Sequence, residues 1–328
     1  MFDWVLAGVL AAAMTPPQST LPAPGPQQAG QEPATILEDV VVERRRLESM
    51  VREFVSEVGA PAARRGLARW QGGICVGVVN IRADVAQHIA DRVSQVGRDL
   101  GLEPGEPGCK ANIFIVFATE GAALADAMVE VDRHAFRRGV GGLDRGTAAL
   151  RDFRTAGRPV RWWHMSEPTD SETGLRAVRL PGDIDPTTGQ PAAPVINVFS
   201  ASRLNSQIRD DMTKVMVIVD VDQLSSVNLA QLADYLAFIS LVQVDPEAET
   251  ASYDTILNLF DAPQSVDGLT EWDTSYLTSL YRVQDSPVQR INPSAQAGTM
   301  AAEMIRSQRA ARNAAEQAAP GDPPPPRQ

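Results

Sequence analysis

Two periods of apolar residues divide the first part of the chain into helices and strands. In residues 44–58 apolar side chains recur every three or four positions, which predicts an amphipathic helix. Residues 74–81 and 113–117 are runs rich in valine, isoleucine and phenylalanine that predict two buried strands. Residues 83–100, between these strands, repeat with a helical period. Because strand, helix and strand follow one another, we expect an N-terminal βαβ unit with parallel strands.

The second part of the chain continues with similar elements, separated by longer loops. The predicted elements are helices at 122–131, 204–212 and 229–242, strands at 159–165, 195–199 and 215–221, and loops at 137–146 and 181–194. The glycines of the first loop do not match a dinucleotide-binding motif, and they follow a helix rather than a strand. Together these elements predict an α+β fold, with a mixed sheet flanked by helices.

Both ends of the chain differ in composition from the part between them. Residues 15–35 are rich in proline, glutamine and glycine, and they predict a disordered linker. Residues 293–328 are polar and predict a partly helical or disordered tail, with a solvated helix near 296–317. We therefore expect a single globular domain at residues 36–292.

The first fourteen residues resemble a secretory signal peptide. The apolar run from Trp4 to Met14 is too short to span a bilayer, and Ala11 and Ala13 supply a cleavage site. Asp3 stands where a signal peptide has positive charge. The alternative is a buried N-terminal helix, but the proline-rich segment that follows gives such a helix nothing to pack against. We expect a bacterial protein that is periplasmic or secreted, with no stable transmembrane span after processing.

The two cysteines lie beside the two predicted parallel strands. Cys75 is in the first apolar run, and Cys109 shortly precedes the second. In an oxidising compartment this pair would form a disulfide that stabilises the fold by roughly 3 to 4 kcal/mol. In a cytosol the two would be buried thiols. Two cysteines are too few for a zinc site built from cysteine alone.

The charge of the chain excludes one class of partner. The formal net charge is -11, whereas a protein that binds nucleic acid or an anionic membrane presents a basic face. Only Lys110 and Lys214 among the basic residues are lysines. We expect no nucleic-acid partner.

Four short motifs in residues 228–281 resemble those of a known enzyme family. They are ADYLAFISL at 233–241, TILN at 255–258, LTEWD at 269–273 and LTSLY at 277–281. Their order and spacing are similar to those of the zincin metalloproteases, especially the metzincins, and of uncharacterised secreted proteobacterial proteins. The resemblance implies a zincin-like C-terminal half.

The zinc ligands that this resemblance implies are not present. A zincin helix carries two histidines four residues apart, with a glutamate that activates the zinc-bound water. Here the matching positions are Ala233 and Ala237, with Asp234 in the glutamate position and Gln243 at the third ligand. Alanine cannot bind zinc, so we expect no metal, no cofactor and no peptidase activity. The alternative to the resemblance is an ordinary amphipathic helix.

The three histidines offer no ligand spacing. His88 belongs on the polar side of its predicted helix, and His134 and His164 lie far from it in the sequence. A hydrolase that needs no metal could use His164 or His134, and this remains an alternative function.

The best candidate for a binding surface is the RWWH stretch. Trp162 and Trp163 are neighbours on a predicted strand, so one ring points to each face and one could meet solvent beside His164. Arg203 could present charge to an anionic ligand. The alternatives are that both rings are covered and that the arginine lies on a solvated helix face.

These patterns predict a non-catalytic exported envelope protein. Its degenerate zincin-like domain would be a pseudoenzyme that binds a protein, a peptide or a glycan. The alternatives are the metal-independent hydrolase and a purely structural component of the envelope.

Overall fold

The structure is a computed structural model. It describes residues 34–62, 65–136, 144–178, 184, 188–190, 207–224, 226–285 and 293–318. The predicted signal peptide, most of the predicted linker, the predicted strand at 195–199 and Arg203 lie outside these residues. The chain divides into a unit at residues 1–43, of which only the start of one helix is described, and a unit at 44–328.

A four-stranded mixed sheet forms the centre of the second unit. Its strands are β1 (Val76–Val79), β2 (Ile113–Ala118), β3 (Val160–Asp170) and β4 (Ile208–Asp220), in the spatial order β1-β2-β4-β3. β1, β2 and β4 run parallel, whereas β3 pairs with β4 in the antiparallel direction. The expectation of an α+β fold with a mixed sheet is confirmed.

Eight helices accompany the sheet in the described part of the chain. They are α1 (Ala34–Val58), α2 (Ala83–Asp99), α3 (Gly121–Val131), α4 (Arg133–Phe136), α5 (Gly146–Thr155), α6 (Leu229–Leu241), α7 (Glu271–Asp285) and α8 (Pro293–Ala318). Two short 3₁₀ turns lie at Val221–Gln223 and Ile256–Leu259. None of the described helices is both long enough and apolar enough to cross a membrane.

The two faces of the sheet pack against different cores. On one face, alternate residues such as Ile115 and Val217 join the main core, which also contains apolar side chains of α1, α2, α6, α7 and α8. On the other face, Trp163 and Ile218 join a smaller core built by α3, α4 and α5. The second face is therefore covered by short helices only.

The helix predicted at residues 204–212 is wrong for its described part. Residues 208–212 belong to β4, where they pair with the far half of β3. Three polar residues in a row, Arg209 to Asp211, give this stretch no apolar face of helical period, and β3 supplies the hydrogen-bonding partner that stabilises an extended chain.

The core extends beyond residue 292, where the sequence placed the end of the domain. α8 packs against α7 and buries four apolar side chains, at Met300, Ala301, Met304 and Ile305. Its Gln296 side chain also holds both backbone groups of Leu67, at 2.6 and 3.1 Å. The predicted solvated helix is thus solvated on one face only.

The predicted disulfide is confirmed. Cys75 and Cys109 are bonded, with their Cα atoms 6.0 Å apart and a separation of 34 positions in the sequence. Cys75 immediately precedes β1, and Cys109 lies in the approach to β2. The bond therefore ties the start of one parallel strand to the segment that leads into the next.

Candidate functional site

The helix that resembles a zincin zinc helix is buried on all sides. In α6 the side chains from Gln231 to Leu241 are all buried, and Ala233 and Ala237 are 0% exposed. α2 packs directly against α6. No cleft opens at the two alanines, so this part of the helix is a core element.

Asp234, in the position of the zincin glutamate, connects three segments. Its carboxylate forms an ion pair with Arg92 of α2 and accepts a hydrogen bond from the backbone N–H of Leu269, at 2.9 Å. Gln243, at the third ligand position, accepts from the backbone N–H of Ala68 at 2.7 Å. Both side chains are thus engaged in holding the fold.

The LTEWD motif begins α7 and also fixes the TILN turn. Thr270 and Asp273 form a reciprocal cap, in which each side chain accepts from the other residue's backbone N–H. The Asp273 carboxylate also accepts from the Thr255 hydroxyl at 2.5 Å and the Ile256 N–H at 2.8 Å. Burial raises the pKa of Asp273 to about 6, and these donors oppose the rise.

The C-terminal end of α6 is capped by side chains from three other segments. The carbonyl of Ile239 accepts from His164 Nε2 at 2.7 Å. The next two carbonyls accept from side chains at 2.9 Å each, Ser240 from the Trp70 indole and Leu241 from the Tyr281 hydroxyl. These bonds satisfy carbonyls that a helix end leaves without intrahelical partners.

The RWWH stretch is not an exposed binding surface. Trp162 and Trp163 are only 7% and 4% exposed. Every side chain of the stretch also donates a hydrogen bond to a backbone carbonyl of another segment. Trp162 donates to the carbonyl of Val244 and Trp163 to that of Phe136, at 3.0 and 2.8 Å. Arg161 likewise donates to two carbonyls, those of residues 153 and 156 at the end of α5.

His164 has the surroundings of a structural histidine. Burial, and to a lesser degree the charge of Arg145, lowers the pKa of His164 to about 4, so the imidazole is neutral at pH 7. Its Nε2 therefore donates to the Ile239 carbonyl. The adjoining cavity, of about 20 Å³, has room for one water molecule and none for a substrate.

The other two histidines supply no described partner for His164. His88 is exposed on α2, as the helical pattern predicts, and the His134 side chain lies outside the described side chains. Across the described residues, no group of three or more histidine, cysteine or acidic side chains could hold a metal ion.

An open apolar groove lies on the second face of the sheet, which the short helices cover in part. It has a volume of about 450 Å³ and is lined mainly by apolar side chains. Six of its residues define what we call the methionine groove: Phe114, Met128, Val131, Met165, Lys214 and Met216. Val131, at the end of α3, is 87% exposed.

A β-bulge directs the basic residue of the groove. Met165 pairs with Lys214, and Ser166 pairs with Met212, so Thr213 is an extra residue on β4. Its hydroxyl donates to the Met165 carbonyl at 3.2 Å. The extra residue lets Met212 face the main core while Lys214 faces the groove.

Among the described residues that line the groove, Lys214 is the only lysine or arginine. Its Nζ lies 5.4 Å from the centre of the Phe114 ring, which is a cation–π contact. No carboxylate in the described ranges forms an ion pair with it. The groove therefore combines an apolar surface with the positive charge of Lys214 and the carboxylate of Asp132, which also lines it.

The groove was not predicted from the sequence. Phe114 and its neighbours are in a run that predicts a strand buried on both faces, yet Phe114 is half-buried at the groove. The one available signal was Lys214, a rare lysine that directly precedes a predicted buried strand and is followed two positions later by Met216.

Comparison of the chain with protein-family models, with curated proteins and with solved structures finds no match. The function of the groove therefore has to follow from its own geometry.

Proposed function

We propose that the protein is an exported, non-catalytic binding protein whose methionine groove holds an apolar peptide segment with a carboxylate. The apolar lining of this groove of about 450 Å³, with the Lys214 ammonium group over the Phe114 ring and in no ion pair with a described carboxylate, is the observation that supports this function best. The carboxylate of the peptide would neutralise this charge beside the Phe114 ring, while its apolar side chains cover the thioethers.

The lining of the groove favours a peptide over a glycan. Three of the nine methionines in the chain line it, and flexible, polarisable thioethers adapt to apolar side chains of different shapes. A glycan would need several hydrogen-bonding groups, and the lining is mostly apolar. The exposed rim at Val131 also leaves the groove open, whereas a lipid pocket would enclose most of its ligand.

Export to the periplasm or the exterior is part of this proposal. The disulfide between Cys75 and Cys109 supports it, because such bonds persist in oxidising compartments. The descent of the C-terminal half from a zincin, and a βαβ crossover through β1, α2 and β2, also belong to the proposal. The parallel pairing of β1 with β2 supports the crossover.

The rival function, a metal-independent hydrolase, gains no support from His164. Its ring nitrogen donates to a helix carbonyl, and the adjoining cavity holds one water molecule. We therefore favour binding over catalysis.

Fluorescence of anilinonaphthalene sulfonate, an apolar anion, tests the groove. We expect the probe to bind the oxidised protein, and a Leu-Leu-Phe peptide with a free C-terminal carboxylate to displace it. Val131→Asp should weaken binding of both about tenfold, since burial of a valine contributes roughly 1.5 kcal/mol. Leu175→Asp is the matched control, because Leu175 is 65% exposed and lies outside the groove.

Lys214→Gln tests the role of the charge. The variant should bind the peptide acid and its C-terminal amide equally, whereas the wild type should prefer the acid about tenfold. If Val131→Asp and the control Leu175→Asp weakened binding of the probe and the peptide equally, the proposal would be contradicted. Displacement of the probe by decanoate, but not by the peptide, would indicate a lipid ligand instead.

A further inference from the structure

A second pocket lies beside Trp162 and shares no lining residue with the methionine groove. It has a volume of about 230 Å³, the size of a small polar ligand. Six of its residues carry the argument: Arg158, Trp162, Tyr235, Asp245, Phe260 and Asp261. They come from the loop before β3, from β3 itself, from α6 and from the segments that follow α6.

Tyr235 lines this pocket, and no residue in the described ranges bonds its hydroxyl group. The residue is only 5% exposed, yet its hydroxyl makes no hydrogen bond to any residue that the structure describes. Burial raises the pKa of Tyr235 well above its usual range, so the group is a neutral phenol that can both donate and accept. Because Tyr235 lines the pocket and its hydroxyl is bonded by no described residue, a ligand there would take the place of water as its hydrogen-bond partner.

Charges of both signs act on the Tyr235 hydroxyl. The guanidinium of Arg158 lowers its pKa, and the carboxylate of Asp261 raises it. Arg158 is also paired with Asp152 at 3.1 Å, and Asp245 is paired with Arg145 at 2.7 Å. The Asp261 carboxylate is exposed and has no ion-pair partner among the described residues.

The opposite charges of Arg158 and Asp261 make the pocket a poor site for a simple cation or a simple anion. A cation in the pocket would meet Arg158, and an anion would meet Asp261. A neutral ligand that carries several hydroxyl groups can accept from the guanidinium and donate to the carboxylate at the same time.

Aromatic rings form part of the wall. The Tyr235 ring lies 5.0 Å from the Phe260 ring and 6.2 Å from the Trp162 ring, in edge-to-face arrangements. Phe260 is half-buried, so part of its ring is left to a ligand. Such a ring offers an apolar surface to the C–H groups of a sugar.

We propose that this pocket binds a neutral monosaccharide or the corresponding terminal sugar of a glycan. The Tyr235 hydroxyl, the Arg158 guanidinium and the Asp261 carboxylate hold the sugar hydroxyls, and Phe260 covers the apolar side of the ring. The site is separate from the methionine groove, so a sugar should not displace anilinonaphthalene sulfonate.

Saturation-transfer NMR with glucose and with N-acetylglucosamine tests this site on the full-length oxidised protein. We expect at least one of the two sugars to bind with a millimolar Kd. Tyr235→Phe removes only the unpartnered hydroxyl and should weaken binding about tenfold, as should Asp261→Asn. Asp222→Asn is the control, since Asp222 is an exposed carboxylate outside the pocket.

Thermal melts accompany these titrations, and the Tyr235→Phe variant should melt like the wild type because its hydroxyl holds nothing in the fold. No binding of either sugar would overturn the proposal, as would binding that neither variant weakens. Saturation by choline or by acetate, with loss in the same variants, would also overturn it by identifying a charged ligand.

Discussion

Four consecutive side chains of β3, from Arg161 to His164, donate hydrogen bonds to backbone carbonyls of other segments. The residue types could be read from the sequence, and so could their position on a strand. The carbonyls that accept these bonds could not be predicted, because the acceptor of His164 lies 75 positions further along the chain. Adjacent long side chains with hydrogen-bond donors thus connect β3 to other segments here, although the same residue types are typical of a binding surface.

The low pKa of His164 predicts how stability depends on pH. The unfolded chain takes up a proton near pH 6.5, whereas the folded imidazole does so only near pH 4. The stabilisation is therefore fully present above pH 6.5 and is lost as the pH falls towards 4, by up to about 3 kcal/mol. Urea unfolding should show this loss in the wild type relative to His164→Gln, which cannot titrate.

The pH dependence has to be read as a difference between these two proteins. Asp273 has a raised pKa, so its own contribution to stability increases as the pH falls through about 6, which opposes the effect of His164. This contribution is common to both proteins and cancels. A difference in unfolding free energy that stays constant from pH 7 to pH 4 would contradict the structural role of His164.

At the scale of elements, the sequence predicted the position of α6 well, but its resemblance to a zinc-binding helix did not predict how the helix packs. Its bounds agree with the apolar pattern within one residue, and its N-terminus has the Asn228–Gln231 capping box. The pattern does not reveal that even Asp234 and Gln243 are buried, because their partners come from distant segments. For the same reason α8 looked solvated, since the surfaces that cover its apolar side lie elsewhere in the sequence.

Introducing histidines at the two positions that match zincin ligands tests whether α6 borders a cleft. Ala233→His with Ala237→His should destabilise the protein by more than about 2 kcal/mol, because both sites are fully buried and closely packed. Leu229→His, on the 37% exposed first residue of the same helix, should have a small effect. The measurement is the melting temperature with and without zinc.

Zinc should not raise the melting temperature of the double variant. Binding of one zinc ion per chain, together with recovery of stability, would show that the helix still borders an accessible site.

At the scale of the whole molecule, the two faces of the sheet are covered differently, and the proposed binding groove lies on the face opposite the main core. The face towards α6 is filled by the main core, which explains why the motifs that resemble a protease hold the fold. The other face is covered only by α3, α4 and α5, and it leaves the methionine groove open. The sequence predicts the sheet but not this difference, because both faces of β2 carry large apolar residues.

Methyl NMR of the methionines, during titration with the Leu-Leu-Phe peptide acid, tests the central claim most directly. Met128, Met165 and Met216 line the groove, whereas Met212, Met300 and Met304 lie in the main core and serve as internal controls. The account predicts that the three groove methyl signals shift on binding while the three core signals do not. Shifts in the core methyl groups alone, or no shift at saturating peptide, would contradict it.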